Sequence, residues 1–295
     1  FISASAVLIA FSQLKHILGI PVSGHDLPAM LYNLGTHVGD THWPTVVIGV
    51  SSIAFLFWVR SGLNPLLQKA GLSAFMAGTL TKAGPVVAVI VTTLVVSVFA
   101  LDQIGVPIVG VIPAGLPSPE LPPLDLALVE QLIPAAFLIS LVGFVESVSV
   151  GHTLAARRRE RIQPNQELIG LGAANLASGF GGGFPVTGGF SRSVVNFDAG
   201  AKTPMAGVMT AAMIALTALF LTPWFEFLPR AVLAATVIVA VLSQIYLRAI
   251  ARVWVFSKRD FAAMMTTIVV VLGVGVEAGI VAGIFVSIAT LLAKI

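Results

Sequence analysis

The chain has 295 residues, of which 57% are hydrophobic and 10% charged, with a mean hydropathy of +1.00 and a formal net charge of +3. Ordinary soluble domains carry about 25% charged residues, so this composition points to a polytopic membrane protein and away from two soluble domains. The basic residues sit in short clusters between apolar runs, which argues against a nucleic-acid footprint, and the absence of cysteine excludes disulfides and thiolate metal sites.

Apolar runs long enough to cross a hydrocarbon core, about 17–25 residues, fall near 1–20, 44–60, 84–101, 131–150, 204–222, 229–248, 260–276 and 278–293. Two shorter or broken segments lie at 165–180 and 182–198. The first run begins at Phe1 with no charged leader, so the chain reads as a fragment without its natural N-terminus. Between the first two runs, residues 21–43 hold His25, Asp26, His37, Asp40 and His42. The stretch THVGDTH has a spacing that a metal could use, but solvation is the simpler expectation for so exposed a loop. Residues 102–130 carry six prolines between Pro107 and Pro123 and read as an extended outer loop.

The charged connections test this reading. Arg60, Lys69 and Lys82 share one connection; Arg157, Arg158, Arg159 and Arg161 share another; Arg248, Arg252, Lys258 and Arg259 share a third. The positive-inside rule assigns all three to the cytoplasm. An even number of crossings must then separate the second from the third, and 165–180, 182–198, 204–222 and 229–248 provide it. The broken segment is therefore expected to cross. The C-terminal Lys294 falls in the cytoplasm. Near that end Gly275, Gly279 and Gly283 show the small-xxx-small spacing of close helix packing.

Two stretches carry possible chemistry. The first is FLISLVGFVESVSVGHTLA, with Glu146 deep in an apolar span. An ionised carboxylate there is costly by several kcal/mol, which makes Glu146 a candidate proton carrier opposite a cation; a Glu hydrogen-bonded to neighbouring helices is the plainer alternative. The second is GFGGGFPVTGGFSRSVVN, from Gly179 to Asn196. Its glycines and Pro185 oppose a helix over 181–189, whereas 190–198 suits one. Irregular backbone at membrane depth needs protein or a wet cavity around it. An extended piece followed by a half-helix places unpaired amides, and about half a positive charge, near mid-membrane. Arg192 adds a second positive source at that point, and Ser191 and Ser193 add hydroxyl donors. Such an arrangement is a preformed anion site. No Walker or dinucleotide spacing is met, and no nucleophile–His–acid set or metal cluster emerges, so no cofactor and no enzymatic activity is expected.

GGGFPVTGGFSRSVVNFDAGAKTPMAG (181–207) resembles the signature of the SulP family, the sulfate permease or solute carrier family 26 anion transporters. FVESVSVGHTLAARR (144–158), LPRAVLAATVIVAV (228–241), GVEAGIVAGIFVSI (275–288) and AFSQLKHILGI (10–20) fit the same family in the same order. The resemblance implies an all-α, uracil-permease-like fold of fourteen spans in two inverted repeats of seven, divided into core and gate domains. On that map residues 1–101 are the last three spans of the first repeat, 102–130 the Pro-rich outer loop, and 131–295 the second repeat, broken span 182–198 included. The first four spans and the STAS domain lie outside this chain, and with them one wall of the site.

By the same resemblance the substrate-binding residues are Gly188, Gly189, Phe190, Ser191, Arg192 and Ser193, with Glu146 facing them as the proton-coupling group. The family often has Ser where Gly189 stands here, which removes one donor. The expected protein is a secondary, proton-coupled, elevator-type transporter of sulfate or a related oxyanion. It is expected to be homodimeric, in the bilayer of a bacterial inner membrane. Bicarbonate, dicarboxylate or chloride transport are alternatives, as are a nucleobase permease of the same fold and a non-transporting scaffold or anion sensor.

Overall fold

The computed structural model describes residues 2–22, 24, 26–113, 115–119, 121, 123, 125–242, 245 and 247–292. Their side chains are included except those of Ile2, Phe190, Ser191, Val195, Asp198, Leu247, Arg248, Ala249, Ala251, Glu277 and Leu291. His25 and Lys294, named above, lie outside the described residues.

The described residues are mostly helical. In order run α1 (Ile2–Leu18), α2 (Leu27–Thr36), α3 (Trp43–Trp58), α4 (Asn64–Lys69), α5 (Ala74–Lys82), α6 (Gly84–Val98) and α7 (Leu126–Arg158). They are followed by α8 (Pro164–Phe180), α9 (Phe190–Asp198), α10 (Met205–Phe220), α11 (Arg230–Leu242), α12 (Leu247–Phe256), α13 (Lys258–Gly273) and α14 (Val276–Leu292). Each of the ten predicted apolar segments holds one of these helices. A π-turn over Val59–Leu63 joins α3 to α4, so Trp43–Lys69 is one apolar helix long enough to cross a bilayer, as is Leu126–Arg158. Ala74–Lys82 and Gly84–Val98 pass the same test together, bent by 44°. Val86, Ile90, Leu94 and Val98 form an exposed apolar stripe along α6 at four-residue spacing, suited to a lipid environment.

Helix α7 is longer than the apolar run that announced it. Asp125 caps its start by accepting a hydrogen bond from the Ala127 amide at 3.0 Å, and Arg159, at φ 58°, ends it. Its 33 residues span about 50 Å, well beyond the hydrocarbon thickness. The Pro-rich loop therefore stops at Asp125, short of the expected 130, and it is not free along its length. Val109 and Gly110 donate to the carbonyls of Leu228 and Glu226, and Arg230 donates from its backbone to Pro107 and from Nε to Ile108. Around the bridge Ile108–Pro229 this makes a short antiparallel pairing.

The chain divides into two compact units, one of residues 1–112 with 223–295 and one of 113–222. In the first, α1, α3, α6 and α11 share a core of Ile17, Leu56, Ala88, Val232, Ala234, Ala235, Ile238 and Val239. Its α13–α14 hairpin refines the glycine reading. A Cβ on Gly279 would meet the Val271 backbone nitrogen at 2.8 Å, and one on Gly283 would meet the Thr267 side chain, so these two allow close packing. Gly275 does not; at φ 134° and with open space around it, it makes the turn. In the same unit His42 contacts Thr45 Oγ1 through Nδ1 at 2.7 Å and the Ile104 carbonyl through Nε2 at 3.0 Å. Both ring nitrogens of the THVGDTH stretch's last histidine are thus engaged by the protein.

The second unit contains α7, α8, α9 and α10, with α7 packed against both α8 and α9.

Candidate functional site

Every residue of the predicted site falls within the second unit. Helix α8 ends at Phe180, Gly182 turns the chain at φ 67°, and residues 183–189 run without helical structure to the start of α9. Four polar side chains hold that extended run. Ser178 Oγ donates to the Phe184 carbonyl at 2.7 Å. Asn175 donates from Nδ2 to the Val186 carbonyl and accepts from the Val186 amide through Oδ1, both at 2.9 Å, so one side-chain amide replaces a neighbouring strand. From α7, Ser147 Oγ accepts from the Gly188 amide at 2.9 Å, while Thr187 Oγ1 donates to the Gly143 carbonyl at 3.0 Å.

These bonds answer the question that irregular backbone raises at membrane depth, where unsatisfied amides and carbonyls cost several kcal/mol. They were not foreseen from sequence, although polar residues inside the apolar stretches ANLASGF and FVESVS were a signal. Asn175→Ala leaves both exposed Val186 groups without that partner, each lost hydrogen bond contributing about 0.5–1.5 kcal/mol. A drop in melting temperature together with loss of transport is expected. Asn175→Asp, which keeps only the acceptor, should fall between alanine and wild type in the same thermal assay.

The sites of Gly188 and Gly189 are explained by approach distances. A Cβ on Gly188 would lie 2.9 Å from Ser147 Oγ and 3.0 Å from its Cα, so only glycine lets this backbone lie against α7. A Cβ on Gly189 would lie 3.5 Å from Arg192 Nε and 3.6 Å from Nη2. The guanidinium thus folds back over the start of α9 and does not extend away from it. The first intrahelical bond runs from the Ser193 amide to the Gly189 carbonyl at 3.1 Å, so the amides of residues 190–192 precede the hydrogen-bonded ladder. Arg192 is exposed and Ser193 half-buried. The backbones of Phe190 and Ser191 form the first turn; their side chains lie outside the described ones.

Glu146 is half-buried on α7, next to Ser147 and hence one residue from the bond that holds Gly188. Among the described residues no ion pair within 4.0 Å joins Glu146 to Arg192. No group of three or more metal-ligating side chains converges among the described residues.

The far end of α9 is closed by a glycine motif. The Ala201 amide donates to the Asn196 carbonyl at 2.9 Å and Gly200, at φ 90°, donates to Phe197 at 3.0 Å. This is the Schellman arrangement, in which a left-handed residue just past the helix satisfies its last carbonyls. The nine residues of α9 span about 14 Å, roughly half a hydrocarbon core. What this half-helix offers chemically is a fixed cluster of backbone donors, a dipole end and a guanidinium, with α7 alongside. That combination is chemically suited to an anion.

Comparison with known proteins agrees with the geometry. Residues 1–267 match the sulfate permease family. The chain is 34% identical over 291 residues to a probable sulfate transporter, 4.2, of Arabidopsis thaliana, covering 98% of this chain and 41% of that protein. It is 31% identical over 295 residues to a probable sulfate transporter of Mycobacterium tuberculosis, covering all of this chain and 50% of the other. The chain thus spans about half the length of these relatives. Among solved structures it resembles the overall structure of SLC26A9 with a TM-score of 0.88 at 22% identity, over 100% of this chain and 45% of that one. It also resembles the transmembrane domain of the cyanobacterial bicarbonate transporter BicA, with a TM-score of 0.68 at 19% identity, over 99% and 65%. At these identities the structural likeness establishes the fold.

Proposed function

Since the chain belongs to the sulfate permease family, we propose that it forms the second-repeat anion site of a secondary transporter for sulfate or a related oxyanion. The observation that carries the proposal is the start of α9: amides ahead of the first helical bond, at a position where the Arg192 guanidinium folds over Gly189. A desolvated oxyanion needs donors to replace its water shell, and a helix start with an adjacent guanidinium supplies them without reorganisation. Phe190 and Ser191 contribute backbone amides, Ser193 a hydroxyl, and Gly188 and Gly189 the close approach.

In this reading the protein is an integral membrane protein, homodimeric, with the basic connections and C-terminus on the cytoplasmic side of a bacterial inner membrane. Residues 1–101 and 131–295 then belong to the first and second repeats. Transport is of the elevator type, in which the compact unit carrying the site moves as a body. That the supports of α9 described above all come from within one unit favours this mechanism, because such a body can move without dismantling its site. Glu146 couples a proton to the anion.

Reconstitution of the complete protein into proteoliposomes tests the substrate class. Sulfate uptake that is insensitive to excess uracil is expected. Competition by uracil would favour a nucleobase permease of the same fold, and saturable anion binding without uptake would favour a sensor.

A further inference from the structure

Helix α9 is too short to stand alone, since isolated helices below about 12–15 residues are marginal. Its position must be imposed by neighbours. The Ser147–Gly188 bond holds one end to α7. At the other end Arg158, from the last turn of the same helix, reaches the cap: its Nη2 donates to the Ala201 carbonyl at 2.6 Å, and its guanidinium carbon lies 4.5 Å from the centre of the Phe197 ring. Arg157 approaches that ring more distantly, at 6.0 Å.

The two attachments are consistent in length. From Ser147 to Arg158 α7 rises about 16 Å, comparable with α9 and its flanking residues between Gly188 and Ala201. The half-helix therefore lies beside the last third of α7, running the same way and fastened at both ends. A cation at a helix C-terminus is also electrostatically favoured, and a stacked guanidinium adds a planar contact that lysine cannot reproduce.

We propose that Arg158 is a positioning residue for the anion site: its hydrogen bond to Ala201 and its stack on Phe197 set the height of α9, and so the placement of the donors at the opposite end. This gives Arg158 a role separate from the topology signal expected of the cluster Arg157–Arg161. The inference rests on the reading of α9 as the anion site. In enzymes a misplacement of about 1 Å costs about a hundredfold in rate, and a site built from fixed donors depends on their placement in the same way.

The test uses the complete protein with Arg158→Ala, Arg158→Lys and Phe197→Leu, and two readouts. The first is amide hydrogen exchange across residues 188–201, which needs no substrate. The second is the concentration dependence of sulfate uptake. Arg158→Ala should speed exchange across α9 at least severalfold and raise the half-saturating sulfate concentration about tenfold or more, with maximal uptake largely retained. Arg158→Lys and Phe197→Leu, which each remove the stack, should give smaller shifts in the same direction. Exchange unchanged in Arg158→Ala would overturn the proposal. So would Arg158→Lys and Phe197→Leu both matching wild type in exchange, or faster α9 exchange with wild-type half-saturation. If α9 exchange responds as expected while Arg192→Ala leaves uptake intact, the coupling of Arg158 to α9 stands and the assignment of the anion site falls.

Discussion

Arg192→Ala is expected to reduce sulfate uptake by the reconstituted protein to background. The guanidinium lies over Gly189 at the start of a half-helix, with no carboxylate in ion-pair contact among the described residues. Its charge is therefore available to a ligand. A hydrogen bond to a charged group contributes about 1.5–3 kcal/mol, which corresponds to roughly a tenfold to hundredfold loss of affinity when it is removed. Arg192→Lys should recover part of the uptake, because it restores the charge without the two-pronged donor geometry. A melting temperature close to wild type in both variants would separate a lost ligand group from a damaged fold. Wild-type uptake in Arg192→Ala would remove Arg192 from the site.

Replacing Glu146 with Gln should leave anion binding within about twofold of wild type and flatten the pH profile of uptake. The sign follows from charge. An ionised Glu146, on the helix that α9 packs against, opposes an incoming anion; a protonated one does not. Wild-type uptake should therefore rise as the pH on the side of anion loading falls. Glu146→Gln mimics the protonated state, so its uptake at high pH should equal its uptake at low pH. An unchanged pH profile in the variant would reject Glu146 as the coupling group. Lost uptake with lost thermal stability would instead assign it a structural role in α7.

Much of this molecule was readable before its coordinates, for physical reasons that differ by element. The bilayer sets a minimum length and an apolar composition for a span, so α1, α3, α6, α7, α10, α11, α13 and α14 announce themselves as runs. The break before α9 was readable because glycine and proline act locally: residues 181–189 resist a helix wherever they are placed. Its helical part begins at Phe190 and ends at Asp198, as the residue types indicated. Helix α12 was not foreseen, because a short amphipathic helix leaves no continuous apolar run.

The site was only half readable. Arg192, Ser191 and Ser193 stood out by residue type beside the break and Gly188 and Gly189 entered through the family resemblance, whereas Asn175, Ser178, Ser147 and Thr187 did not stand out. Their roles depend on which backbone groups of a folded loop come within reach, and that is a property of three helices together. Arg158 shows the same limit from another side. Within a run of arginines it reads as a topology signal, and only the position of Phe197 and Ala201 distinguishes it from its neighbours. Gly275 shares the spacing of Gly279 and Gly283 yet makes a turn, because spacing alone does not separate a contact from a change of direction.

The central claim is that an anion binds at the start of α9. Amide hydrogen exchange of the complete protein, with and without saturating sulfate, bicarbonate or chloride, tests it most directly. Slower exchange at residues 190–193 in at least one of these anions, with α10 unaffected, is the predicted result. Exchange at 190–193 that none of the three anions alters would contradict it.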